Sequence, residues 1–361
     1  MWDESKPRVF ISYSHQNSSA YAVVRDALDA AGFHPWSDRE LAAGRGFTDE
    51  IQRKIAHSHL FLPILTPESH LGGWVHQEIG FAVGLKIPCV PLCIGEVPYG
   101  MIAMKHAIVL NDLNAQELRG TIERAKFKNL VESAAKPFTA PSDCVQEAED
   151  RADKIVQYAD EALDHFGPCN VRIQGGLGSF SLPDAPDYDD VWKARYGCMP
   201  RTPSSYKKFR EERRSLERHA QVAELRMLLN IGLDYDGGGY GEGATRTRMS
   251  ILLEFLESLK GPAANVQIAL VTIHPPDLML SVGDWFIAES SSARMVRGVV
   301  QTVFTVHAPS VGNRLAEFDR HLNKTLAKLG CRDGDSLPMA ISQLREKIST
   351  LPRHPAWSGD P

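Results

Sequence analysis

Trp74 and Glu78 are the residues in this sequence whose types and spacing point most clearly to chemistry. Both lie in GGWVHQEIGFAVGLK (72–86), a run that favours a helix. Residues four apart lie on the same helical face, so the indole and the carboxylate project together. A carboxylate fixed in a water-poor cleft stabilises positive charge that develops in a transition state. His76 points elsewhere on the helix and is interpreted as a surface residue.

The elements that must position this pair follow from alternating strand and helix signals over residues 8–131. Five short apolar runs are predicted as strands: VFISY (9–13), FHPWSD (33–38), HLFLPIL (59–65), IPCVPLCI (87–94) and HAIVL (106–110). Helical patterns follow these runs, the last over about 114–134. Buried strands separated by helices predict a flavodoxin-like, parallel five-stranded α/β sheet. Ligands bind at the carboxyl ends of such strands, where the helix with Glu78 begins.

The remainder of the chain differs in composition from the region of alternating strand and helix signals. KPFTAPSD (136–143) and a polar helix at about 144–165 predict a linker with a connector helix. From Cys169 onward, glycine clusters alternate with strand and helix signals, which indicates a second α/β or α+β domain. The predicted parts are therefore 1–135, 136–168 and 169–361.

Composition excludes several classes of function. The 361 residues are 43% hydrophobic and 24% charged, which is typical of soluble globular proteins. A net charge of −5 does not favour non-specific binding to nucleic acid or to an anionic membrane. No apolar run approaches the roughly 20 residues of a membrane helix, and no signal peptide is recognised. Six scattered cysteines without zinc spacing predict reduced thiols, a cytoplasmic location and no metal site.

Four segments occur in the order and at the spacing of TIR (Toll/interleukin-1 receptor) domains: FISYS, WSDRELAAGRGF, LPILTPES and WVHQEIGFAVG. They resemble the family's first strand, BB loop, third strand and catalytic helix, over roughly the first third of the chain. The NAD⁺-consuming branch carries Trp-x-x-x-Glu on that helix, and Trp74 and Glu78 match it. The resemblance implies that Glu78 is catalytic and that Trp74 binds the substrate. It implies NAD⁺ as the substrate and no cofactor.

One carboxylate is sufficient for this reaction because of the leaving group. Nicotinamide departs from NAD⁺ as a neutral molecule and needs no proton, unlike the sugar leaving group of ordinary glycosidases, which use a carboxyl pair. The remaining tasks are to bind the ribose hydroxyls and to stabilise an oxocarbenium-like charge, and a fixed carboxylate does both. Capture of this cation by water gives hydrolysis, whereas capture by the substrate's own adenine gives a cyclic ADP-ribose-type product.

Further substrate contacts are implied by family position alone. The turn after the first strand matches positions that line the nucleotide site, and amides at the next helix start could meet the pyrophosphate. Relatives often have basic residues in that turn, where this chain has serine and histidine, so arginines of the BB loop are expected to substitute. An aromatic residue after that loop is expected to cover the nucleotide. The residues are Tyr13, Ser14, His15, Arg39, Arg45 and Phe47.

The second domain offers one candidate effector site. GGGYGEGATRTR (237–248) follows an apolar strand run and opens a helix, an arrangement that can cradle phosphates. Arg246 and Arg248 add positive charge there, and a nucleotide second messenger is the candidate ligand. The alternative is a flexible loop, because neither GK[ST] nor a clean GxGxxG motif is present. Residues 283–305 and 313–322 distantly resemble phospholipase D-like domains without their HxK(x)₄D chemistry, which implies a non-catalytic sensor.

The leading hypothesis is an NAD⁺ glycohydrolase that is activated by ligand-induced assembly through the C-terminal domain. Bacterial TIR proteins with an added domain commonly act in antiphage defence by depleting NAD⁺, which is what the resemblance implies here. The alternatives are a non-enzymatic TIR scaffold that signals by homotypic contacts and a cyclase. A nucleoside deoxyribosyltransferase-like enzyme, with a related sheet and a carboxylate nucleophile, is disfavoured by FISYS and the BB loop.

Overall fold

The chain forms two compact units. The first comprises Asp3–Ser142 and Thr305–Arg314, and the second comprises Met1–Trp2, Asp143–Phe304 and Leu315–Pro361. The computed structural model describes residues 6–37, 47–67, 69, 73–95, 97–98, 102, 107–124, 127–134, 142–182, 203–232, 241–259, 265–272, 278–291, 301–332 and 334–351. The predicted domain boundaries stay predictions.

A parallel sheet is the centre of the first unit. Its strand order is β2-β1-β3-β4-β5, and every pairing is parallel. This confirms the five-stranded α/β sheet expected from the unalternating apolar runs. The strands are β1 (Arg8–Ser12), β2 (His34–Trp36), β3 (Leu60–Leu65), β4 (Leu92–Ile94) and β5 (Ile108–Leu110).

Helices follow the strands of this sheet. They are α1 (Ser18–Ala30), α2 (Phe47–Ala56), α3 (Gly73–Gly84), α4 (Ala115–Arg124) and α5 (Phe127–Ala134). Helix α1 buries Tyr21, Val24 and Leu28, residues that recur at helical spacing and join the core with the strands. Gly32 follows α1 with a φ of 84°, a left-handed conformation that favours glycine at a helix end.

Strand β4 is shorter than the predicted strand over 87–94. Pro88 and Pro91 have no N–H to donate to a sheet ladder. Their carbonyls still accept hydrogen bonds, from the N–H groups of Phe61 and Ile108 respectively, both at 2.8 Å. Outside β4, Cys89 forms only an isolated bridge with Phe61. The prolines thus permit a buried extended segment but restrict continuous pairing.

A mixed seven-stranded sheet is the centre of the second unit, with the order β6-β12-β11-β10-β7-β8-β9. Strands β7, β8 and β9 are parallel, whereas β10 runs antiparallel to β7 and β11. This second sheet with its helices agrees with the predicted α/β or α+β class. The strands are β6 (Ser142–Val145), β7 (Val171–Gly175), β8 (Leu225–Asn230), β9 (Val266–Val271), β10 (Leu278–Val282), β11 (Phe286–Ser291) and β12 (Gln301–Thr305).

Helix α6 shows how the charged helices of this half of the chain pack. Helix α6 lies in the region predicted as a connector and packs against α7 within the second unit. Its buried stripe includes Ile155 and Tyr158, and the Tyr158 ring lies 5.3 Å from that of Phe286. The described helices are α6 (Ala148–Phe166), α7 (Pro203–Ala220), α8 (Gly241–Ser258), α9 (Ala308–Lys328) and α10 (Ser336–Thr350). None of the helices in the described ranges is long and apolar enough to span a membrane.

Candidate functional site

Three side chains meet at the carboxyl edge of the first sheet, where β1 ends and α3 begins. The indole Nε1–H of Trp74 donates a hydrogen bond to Oε1 of Glu78 at 2.8 Å. The hydroxyl of Ser12 donates to the other oxygen, Oε2. Glu78 is 5% exposed and Ser12 is 1% exposed, whereas Trp74 is partly buried. The structure thus places the predicted pair side by side and adds a serine from a distant segment.

The helix presents Glu78 because its apolar stripe lies on an adjacent face. Val75, Ile79 and Ala82 recur at intervals of four and three residues and are fully buried. That packing sets the rotation of α3 about its axis. Trp74 and Glu78, one turn apart, then project together toward the end of β1.

The loops around this edge are joined by hydrogen bonds between uncharged groups. The side-chain amide of Asn17 donates to the hydroxyl of Thr66 at 2.8 Å, linking the turn after β1 to the end of β3. Thr66 and Ser69 form a tight turn in which the Ser69 hydroxyl donates to the Thr66 carbonyl at 2.7 Å. The carboxyl ends of β1 and β3 are therefore adjacent, as their parallel pairing requires.

A buried carboxylate with these donors suits a particular chemistry. Burial disfavours a charged group unless it is hydrogen-bonded, and both oxygens of Glu78 accept a bond. Each carboxylate oxygen has two lone-pair sites, so a carboxylate can accept hydrogen bonds from several groups at once. Because both donors are uncharged, they do not cancel the negative charge. The arrangement can therefore accept hydroxyl hydrogens and stabilise a nearby cation.

The turn after β1 contains three residues for which the family resemblance implies substrate contacts. The ring of Tyr13 is 3% exposed and stacks on that of Tyr21, with centroids 4.6 Å apart, so it belongs to the core. The ring of Tyr13 thus has a packing role, and the predicted substrate contact stays a prediction. Ser14 is half-buried, and its carbonyl accepts a bond from the Asn17 N–H at 2.7 Å. His15 lies in a short 3₁₀ turn, and its side chain is outside the described residues.

The BB-loop predictions fall outside the described part of the chain. Arg39 and Arg45 lie in 38–46, which the structure does not describe. Phe47 is the first residue of α2, and its side chain is also outside the described residues. The substrate contacts predicted for these three residues stay predictions.

Arg246 and Arg248, the predicted effector-binding pair, are both engaged within the second unit. Arg246 donates to the carbonyls of Ile348 and Leu351 at the end of α10, the latter at 2.6 Å. Cations at a helix C-terminus satisfy its free carbonyls and oppose its dipole. Arg248 donates to the Ser181 hydroxyl at 2.8 Å and to the carbonyl of Gly178 at 3.3 Å. These contacts give both arginines a structural role, and their predicted effector binding stays a prediction.

Ser12 is the site residue that the sequence analysis missed. It is a hydroxyl residue at the last position of RVFIS, a strand that is otherwise almost wholly apolar after Arg8. A polar side chain at the carboxyl end of a buried parallel strand was the available signal, because ligand-binding groups concentrate at that edge. The partner of that hydroxyl, 66 positions away, depends on tertiary structure.

Comparison with known protein families identifies the region of the chain that contains this site. Residues 9–131 match the family model of the TIR domain, which is about one third of the chain and includes Ser12, Trp74 and Glu78. TIR domains commonly self-associate and bind NAD⁺, and the match is compatible with either NAD⁺ hydrolysis or non-enzymatic TIR signalling. No curated protein matches the chain.

Proposed function

We propose that the TIR domain of this chain is an NAD⁺ glycohydrolase in which Glu78 is the catalytic residue. The observation that carries the proposal is the buried carboxylate of Glu78, bound by Trp74 at the carboxyl edge of the sheet. A solvated helix carboxylate would not be 95% withdrawn from water, and a purely scaffolding domain has no need of one in this position. Buried polar groups of this kind are costly and concentrate at functional sites.

In the proposed reaction, Glu78 accepts hydrogen bonds from the hydroxyls of the nicotinamide-bearing ribose. The bond between the ribose C1′ and the nicotinamide nitrogen breaks, and its electron pair leaves with neutral nicotinamide. The carboxylate stabilises the oxocarbenium-like charge that remains on the sugar. Water then adds to C1′ and loses its proton to solvent, which yields ADP-ribose. No general acid is required for departure of the base.

Assembly is the proposed control of this activity. TIR domains commonly self-associate, and the second unit would bring them together when it binds an effector. Arg246 and Arg248 stay the predicted effector-binding residues, and both also have hydrogen-bond partners within the unit. Antiphage defence by NAD⁺ depletion is the proposed biological role, and a cytoplasmic location belongs to the same proposal because depletion acts on the cell's internal pool.

The test is nicotinamide release from NAD⁺ by the full chain. The protein is incubated alone, with a panel of cyclic nucleotides, and after forced clustering through a fused oligomerisation tag. Glu78→Ala is expected to lower the rate by on the order of 10²-fold or more. Glu117→Ala, which removes an exposed carboxylate on α4, is the matched control and should leave the rate unchanged.

Each result discriminates between the candidate functions. ADP-ribose as the product supports the hydrolase, whereas a cyclic product identifies a cyclase that uses the same site. Nicotinamide release that is insensitive to Glu78→Ala contradicts the site assignment. Absence of turnover under every condition, clustering included, favours a non-enzymatic TIR scaffold.

A further inference from the structure

The hydroxyl of Ser12 meets the carboxylate of Glu78 at the oxygen that Trp74 does not use. Ser12 is the last residue of β1, and β1 is paired on both sides, with β2 and with β3. Its backbone is therefore fixed by the sheet, and its side chain has almost no freedom at 1% exposure. The serine is thus a rigid donor, whereas Glu78 reaches it through a flexible side chain on α3.

Two hydrogen bonds, one to each oxygen, orient a carboxylate more completely than a single hydrogen bond does. The terminal torsion of a glutamate is broad, so a single hydrogen bond leaves the carboxylate plane able to rotate. Trp74 binds Oε1 and Ser12 binds Oε2, and together they determine that plane. Both donors also favour the ionised form of the buried acid, since a carboxylate only accepts hydrogen bonds.

We infer that Ser12 is a positioning residue for the proposed reaction, acting through Glu78 rather than on the substrate. It orients the carboxylate toward the ribose, and its hydrogen bond stabilises the charged form of the acid relative to the same site without the hydroxyl. This inference rests on the proposed function, because it assumes that Glu78 performs the chemistry. It assigns a role in the reaction to a strand residue for which the family resemblance implies none.

Ser12→Ala in the full chain tests the inference kinetically. Loss of a hydrogen bond to a charged group should lower kcat by roughly 10- to 100-fold, with a much smaller change in KM. The acid limb of the pH–rate profile should move to higher pH, because one donor that favours the ionised form is gone. Ser12→Thr, which retains a hydroxyl, should recover most of kcat.

The matched control is Ser58→Ala. Ser58 is also completely buried in the first unit, where its hydroxyl accepts from the Trp36 indole at 2.8 Å and donates to the Lys54 carbonyl. A general loss of packing or stability would affect both variants, whereas a positioning effect belongs to Ser12 alone. An unchanged pH profile in a folded Ser12→Ala protein would overturn the inference, as would an equal loss of kcat in Ser58→Ala.

A measurement without turnover separates this inference from the proposed function. The ¹⁵N-indole resonance of Trp74, assigned with Trp74→Phe, should follow the ionisation of Glu78 through their hydrogen bond. Its titration midpoint should rise in Ser12→Ala and be restored in Ser12→Thr. A raised midpoint in a protein that never consumes NAD⁺ supports the serine's effect on Glu78 and refutes the hydrolase. An unmoved midpoint in an active enzyme refutes the role of Ser12 and leaves the hydrolase intact.

Discussion

Two buried glutamates, one in each unit, are held by different kinds of partner. Glu78 accepts hydrogen bonds from an indole and a hydroxyl, both uncharged. Glu212 of α7, fully buried, accepts one from the Ser179 hydroxyl at 2.6 Å and two from the guanidinium of Arg151 at 3.0 and 3.3 Å. The partners of Glu78 thus include two uncharged donors, whereas Glu212 forms an ion pair with Arg151.

The difference indicates which carboxylate is suited to chemistry. Glu212 ties α6 and α7 to the turn that follows β7, and its charge is satisfied within the protein. Asp319 of α9 is similar, since it bridges Arg172 and Arg226 on neighbouring strands. Uncharged donors satisfy a buried carboxylate without cancelling its field, so a cationic substrate can still interact with it. Burial alone therefore does not identify a functional acid, since Glu212 is buried and engaged in an ion pair.

The largest expected effects come from replacing each glutamate with glutamine in the full chain. Glu78→Gln should lower nicotinamide release by about 10²-fold or more while changing the free energy of unfolding little, because the charge is lost and the shape is kept. Glu212→Gln should leave turnover per folded molecule intact and cost about 3 kcal/mol of stability, since Arg151 loses its counter-charge. Urea unfolding and a nicotinamide assay on both variants measure the two effects. Equal losses of activity and of stability in the two variants would contradict the proposed contrast between Glu78 and Glu212.

An intermediate effect is expected from Trp74→Phe. The substitution retains an aromatic ring but removes the N–H that binds Oε1 of Glu78. A hydrogen bond to a charged group contributes about 1.5–3 kcal/mol, so kcat/KM should fall by roughly 10-fold or more. Trp36→Phe is the control, because Trp36 is buried in the same unit and its N–H binds Ser58 instead. Equal losses in both variants would indicate that Trp74 acts only through packing.

The smallest effect concerns the response of the second unit to acid. Burial lowers the pKa of His219 from its usual 6.5, and the ring accepts the Cys169 N–H at 2.9 Å and contacts the Ala159 carbonyl. Below pH 6.5 the unfolded chain takes up a proton that folded His219 resists, so stability falls as the pH falls.

His219→Gln should therefore reduce this acid sensitivity. Wild-type protein is expected to lose more stability than the variant between pH 6.5 and 5.5. Urea midpoints at both pH values measure the difference, in the transition that Glu212→Gln shifts. The same loss in both proteins would show that His219 does not contribute to the acid response.

Much of the first unit could be predicted because its signals are local. Apolar runs of strand length and helical spacing such as Tyr21, Val24 and Leu28 are set by chemistry within a few residues. The shortening of β4 was also predictable, since Pro88 and Pro91 lack N–H groups. The packing of α6 was harder to predict, because charged residues surround a narrow stripe that includes Ile155 and Tyr158.

By itself, the sequence determined the parallel sheet, the helix α3 and the pairing of Trp74 with Glu78, because an i, i+4 relation is a property of one helix. Tertiary structure alone decided that Ser12 completes the site, that Tyr13 packs against Tyr21, and that Arg246 and Arg248 bind carbonyls. Most of these partners lie far apart in the chain. Their meeting depends on how whole elements pack, which local periodicity does not encode.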